Sequence, residues 1–158
     1  MTRGERQEFR MRIRRILAHR EVRTMRKFCQ HGTTSTLTHS IRVAEMSFWI
    51  SRRLPMRFRT QSLIRGAMLH DFYLYDWHNP KEAQSLHGFR HPVTALNNAK
   101  RHFDINKVEE NIIISHMWPL TLFRIPRCRE AMVVCLADKL CSLRETVGDR
   151  IIKQGRRM

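Results

Sequence analysis

Six side chains able to bind a cation are spread over five segments, four of them (His70, Asp71, His116 and Asp138) at the end or in the middle of an apolar run. The six are His39 in TLTHSIRVAEMS, His70 and Asp71 in GAMLHDF, His91 in HPVTALNNA, His116 in NIIISHMW and Asp138 in AMVVCLADKLC. An ionised carboxylate buried without a partner costs several kcal/mol, so a buried aspartate is neutralised, paired or metal-bound. A single buried histidine needs less, since it can donate one ring proton to a backbone carbonyl and stay neutral. Several such residues together favour one shared explanation. Helices that turn imidazoles and carboxylates toward a common centre are how dinuclear metal sites are built. Nitrogen and carboxylate donors without thiolate suit iron, manganese or zinc. His70 and Asp71 are neighbours and diverge by roughly 100° on an ideal helix. They reach a common centre only from a helix end, or from different sides of a two-ion site.

The elements that hold these residues must be helices, because nothing in the chain alternates with period two over a useful length. A basic helix is expected over about 4–29, interrupted near His19. HGTTS is a loop rich in N-cap residues, followed by a helix whose apolar positions Leu37, Ile41, Ala44, Phe48 and Trp49 follow a 3.6 repeat. TQSLIRGAMLHDF is a short helix, apolar on almost every side and therefore central. A loop with Asn79, Pro80 and Gly88 leads to a helix opening at HPVTAL, with Pro92 in its first turn. INKVEENIIISHMW is the next helix, ended by Pro119. The last runs from about Arg127, with Gly148 as its expected stop. The expected fold is an all-α, single-domain bundle of about six or seven helices. Residues 1–30 form a basic helix packing on the domain, 31–147 the domain itself, and 148–158 a basic tail.

Composition narrows the function. The chain has 158 residues, enough to bury a core without disulfides. Thirty Lys and Arg against fourteen Asp and Glu give a net charge of +16. Such a field attracts polyanions, nucleic acid and nucleotides among them. Yet no zinc finger, RNP-like pattern or recognition helix accompanies it. The four cysteines form no CxxC pair and read as reduced core thiols, which fits a cytoplasmic setting. No apolar stretch approaches the roughly 20 residues that span a bilayer, and no membrane partner is expected.

The ordered series His39, His70-Asp71, His91, His116, Asp138 resembles the HD-domain superfamily of metal-dependent phosphohydrolases. THSIRVAEMS resembles its H-x-x-R-V helix, GAMLHDF its signature helix, HPVTALNNA its H-P-x-x-x-A segment, and VCLADKLCSLRE its closing A-D-K helix. The resemblance covers about residues 31–147. QHGTTS, HDFYLYDWH, LHGFRHP and HMWPL resemble an uncharacterised bacterial subgroup. The pattern lacks the H-D-x-G-K feature of the cyclic-dinucleotide-cleaving branch and the Glu-Asp motif of alarmone hydrolases. It is nearer to the diadenosine-polyphosphate hydrolases.

The resemblance implies that His39, His70, Asp71 and Asp138 bind a first metal and that His91 and His116 complete a second site, with Asp71 bridging and orienting a metal hydroxide. Two divalent transition-metal ions are then expected, iron or manganese first, with zinc, cobalt or nickel as alternatives. The implied activity is hydrolysis of a phosphate mono- or diester (EC 3.1 class) on a nucleotide or similar small substrate. Two other readings stay open: a di-iron oxygenase on the same scaffold, and a non-enzymatic nucleotide- or nucleic-acid-binding protein suggested by the charge. Lys139 and Arg42 either contact phosphate or form structural ion pairs. His87 either lines the pocket or replaces His91 as ligand. His31, and His78 with Asp76, either line the pocket or cap loops. Trp118 and Trp77 flank the expected ligands and either stack on a base or belong, like Trp49, to the core.

Overall fold

Thr2 opens the first helix, its hydroxyl accepting from the Glu5 amide while the Glu5 carboxylate accepts from the Thr2 amide. This reciprocal cap satisfies two of the amides that a helix start leaves orphaned. Helix α1 (Arg3–Leu17) turns Phe9, Ile13 and Ile16 inward, and Phe9 meets Phe48 with ring centroids 5.8 Å apart. The computed structural model describes residues 1–31, 33–79 and 86–155; for His31, His87 and 149–155 it describes the backbone alone. The expected break at His19 is present: its ring accepts from the Glu21 amide and caps α2 (Arg20–Thr24), which a single 3-10 turn follows.

The loop expected at HGTTS contains a short antiparallel ladder, β1 (Cys29–His31) with β2 (Thr34–Ser35). At three and two residues, these strands are too short to show a period in sequence. Ser35 then caps α3 (Thr36–Ser51). Helix α4 (Thr60–Leu69) is the central one, as its apolar character suggested; Leu63, Ile64, Ala67, Met68 and Leu69 are fully buried. It packs on α3 and on α6 (Lys107–Ser115), which opens with a capping box from Asn106 and Glu109. The contact with α6 is close at Gly66, where a Cβ would lie 2.6 Å from Ile112 Cδ1. Arg65 and Glu109 pair across the same contact at 3.3 Å.

Helix α5 (His87–His102) starts four residues earlier than expected, so Pro92 lies inside it and not in its first turn. Helix α7 (Arg129–Gly155) continues through Gly148, which does not stop it. The chain is thus all-α, with seven α-helices among the described residues. Trp49 and Trp118, expected in the core by default, are both exposed; Trp49 instead carries the Arg53 guanidinium 4.4 Å above its ring.

Candidate metal centre

Helices α4 and α6 end the same way. Each is capped by a histidine, His70 and His116, whose backbone is still helical. The last carbonyls of a helix lack intrahelical partners. His70 Nδ1 donates to Ala67 O at 2.7 Å, and His116 Nδ1 donates to Ile113 O at 2.8 Å. A carbonyl can only accept, so both Nδ1 atoms carry the proton and both Nε2 atoms are directed away from the helix end. His39, in the first half of α3, reaches the same state by another route: Nδ1 donates to Glu145 Oε2 at 3.0 Å. Fixing one ring nitrogen on an acceptor so that the other faces inward is the usual outer arrangement of a metal-binding histidine.

Asp71 follows His70 directly and stands between two groups of these nitrogens. On one side its Oδ2 lies 3.2 Å from His70 Nε2 and 3.9 Å from His39 Nε2. Asp138 Oδ1, from the middle of α7, completes that group at 3.0 Å from His39 Nε2 and 3.7 Å from His70 Nε2. On the other side, Asp71 Oδ1 lies 3.2 Å from His91 Nε2 and 3.4 Å from His116 Nε2, and those two nitrogens are 2.8 Å apart. All six residues are buried. Within this crowd, His70 Nε2 and Asp71 Oδ1 have no hydrogen-bond partner. Donor atoms within 4.8 Å of one another form three overlapping groups able to hold a cation: His39, His70 and Asp71; His70, His116 and Asp138; Asp71, His91 and His116. Orphaned buried atoms and an all-nitrogen-and-oxygen donor set fit divalent ions of the harder or borderline kind.

The electrostatics point the same way. Burial works against protonation of His39, but its bonds to Asp138 and Glu145 prevail and raise it to about 9. His70, also opposed by burial, is held well above its ordinary range by Asp71 and Asp138. Burial would raise the carboxyls of Asp71 and Asp138, yet the surrounding imidazoles hold both well below theirs. Burial lowers His116, which favours the neutral, ligating form. Without a metal, the buried carboxylates draw compensating protons onto neighbouring imidazoles. A cation takes over that role when it displaces those protons.

Next to the cluster lies a cavity of about 670 Å³. Its lining is polar at Asp71, His91, His116 and Asp138 and apolar at Trp77, Met117, Pro119 and Leu120. Lys139 lines it too, although its ammonium donates to His116 O at 3.2 Å and Cys135 O at 3.3 Å. Arg42 is elsewhere: its guanidinium binds Glu145 Oε1 at 3.0 Å, behind His39, and faces a separate groove. An ion pair is one of the two roles the sequence left open for Arg42. Trp118 is exposed, and among the described residues Trp77 is the tryptophan that lines the cavity. His78 pairs with Asp76 at 3.5 Å and stacks on Trp77. The side chains of His31 and His87 lie outside the described residues.

Two residues not singled out from the sequence join the cluster. Glu145 sits seven residues after Asp138 in α7, two turns along the same face, and that spacing was the available signal. Gln30, in β1, donates to Asp71 Oδ2 at 2.6 Å and accepts from the Tyr73 hydroxyl at 2.6 Å. A family model described as HD domain matches residues 36–143, about two thirds of the chain. No curated protein and no solved structure matches it.

Proposed function

Because the chain belongs to the HD-domain family, the superfamily of metal-dependent phosphohydrolases, we propose that it hydrolyses a phosphate mono- or diester of a nucleotide or similar small substrate. His39, His70, Asp71 and Asp138 would hold one divalent transition-metal ion, and His91, His116 and Asp71 a second. Such ions supply Lewis-acid charge for a phosphoryl group and make water nucleophilic near neutral pH. The observation that carries this reading is the split of Asp71, whose two oxygens face two separate sets of imidazole nitrogens. Gln30 holds Oδ2 in place by its 2.6 Å bond, and Glu145 fixes the ring of His39. Trp77, Met117 and Leu120, which line the cavity next to the cluster, suit the base or sugar of a nucleotide. Lys139 adds positive charge to the same lining.

Metal analysis of the purified protein, coupled to phosphate release from mono-, di- and dinucleotide esters, tests the reading. About two ions per chain are expected. Asp71→Ala should lose both ions and all phosphate release, and His116→Ala chiefly one ion. An unchanged metal content in Asp71→Ala refutes the bridging role. A mixed-valence signal in air with no phosphate release from any ester would assign the scaffold to oxygen chemistry instead.

A further inference from the structure

The cavity mouth is bordered by apolar side chains with nothing over them among the described residues. On α7, Met132, Leu136, Leu140, Leu143 and Val147 are all exposed. Their spacing of four, four, three and four residues keeps them within an arc of about 80° along the helix. The opposite face of α7 is in the core, so this helix is apolar on two sides. The loop between α6 and α7 adds Leu120, Leu122, Phe123 and Ile125, with Phe123 97% exposed. The start of α5 adds Leu86, Phe89 and Val93.

These three sets adjoin. Cys135 Sγ of α7 donates to Trp118 O at 3.1 Å, and Arg124 Nη1 donates to Phe89 O at 2.9 Å. Leu120 Cδ2 lies 3.4 Å from where a Cβ on Gly88 would stand. Gly88, Leu120 and Lys139 also line the cavity, so the rim and the mouth share residues. A folded monomer rarely exposes a contiguous apolar patch above a few hundred Å² unless the patch has a partner.

Charge chooses the partner. Across 86–103 and 111–144 the only carboxylates are Glu130 and Asp138, and both are buried. The exposed charges of those segments are cationic, Arg90, Arg127, Arg129, Lys139 and Arg144 among them. A second copy would bring the same cationic rim, and another +16, against this face. An apolar surface edged with Arg and Lys is instead the composition that settles at a membrane interface, with apolar side chains at the acyl boundary and cations among acidic headgroups. We propose that this face docks onto an anionic lipid bilayer, with Leu122 and Phe123 inserting and the cavity mouth turned toward the headgroups. No helix among the described residues is long and apolar enough to cross a membrane, and docking from one side requires none.

The test is co-sedimentation of the full chain with vesicles of equimolar phosphatidylglycerol and phosphatidylcholine, set beside vesicles of phosphatidylcholine alone. The protein should pellet with the first and stay in solution with the second. The double variant Leu122→Ser, Phe123→Ser keeps the net charge and touches no proposed metal ligand. With unchanged metal content and melting temperature, it should bind the anionic vesicles at least about tenfold more weakly. Wild-type protein that remains in solution with anionic vesicles overturns the proposal. So does a double variant that binds them as tightly, since attachment is then through net charge alone. A dimer that the double variant abolishes, without vesicle binding, also overturns it and gives the face to a second copy. These outcomes are independent of metal content and phosphate release, so they leave the hydrolase reading to its own test.

Discussion

Glu145 accepts from His39 Nδ1 and from Arg42, and its side chain is almost wholly buried. Removing it takes away the acceptor of His39 Nδ1, leaving the Asp138 contact alone to orient the ring, and leaves the Arg42 guanidinium without its carboxylate. Glu145→Ala should weaken binding of the ion at His39 by about 10–100-fold, with a milder loss for Glu145→Gln, whose amide oxygen still accepts. Chelator competition on the two variants measures this; equal affinity to wild type would make Glu145 a packing residue. His70, Asp71, His116 and Asp138 were legible in sequence because a charged or titratable side chain in an apolar run is conspicuous, whereas His39 and His91 stand among polar neighbours and were read through the family resemblance. Gln30 was not legible, because a neutral amide in a polar segment carries no such contrast; only the fold brings it across 41 positions to Asp71.

At the scale of elements, the site depends on how closely α4 and α6 approach, since each ends on a histidine of the cluster. Gly66 sets that distance. Alanine there gains roughly 1 kcal/mol of helix propensity, but its Cβ would press on Ile112 at two atoms 3.0 Å away as well as on Cδ1. Overpacking of this kind costs about 1–3 kcal/mol. Gly66→Ala should therefore lower the melting temperature by about 2–6 °C and reduce metal occupancy; a stabilised variant with full occupancy would show that α6 yields freely. Periodicity located these helices, and N-cap residues marked the start of α3. The start of α5 was missed because Leu86 precedes it with no side-chain cap, so the conspicuous His91-Pro92 looked like the beginning. The β1–β2 ladder is too short for any pattern to declare it.

For the whole molecule, the six proposed ligands, drawn from α3, α4, α5, α6 and α7, would make the cluster a cross-link of most of the bundle when a metal is bound. Chelation should lower the melting temperature, because an ion that binds only the folded chain stabilises it by an amount that grows with the logarithm of its free concentration over its Kd. The stripped protein should also acquire a pH dependence. His39 is raised to about 9 when folded and sits near 6.5 when unfolded. Its contribution is therefore complete below about pH 6.5 and lost as pH rises through 9. Melting curves of chelated protein from pH 6 to 9.5 should fall steadily, and metal-loaded protein should change less over that span; parallel curves would remove His39 as the source. The all-α class was readable from the lack of period-two alternation. The exposed rim was not, since a helix apolar on two faces reads as fully interior until its neighbours are known.

His70 and His116 finish their helices as well as facing the cluster. A descendant that abandoned its chemistry would still need something to quiet those dangling carbonyls, and imidazole already does so. Histidine would linger at both positions long after any selection for turnover had lapsed. Asp71 and Asp138 end no helix in this way, so they would drift first. Among relatives of this chain, loss of the aspartates would be the earlier sign that the proposed metal chemistry had lapsed, since the two terminal histidines also serve the architecture.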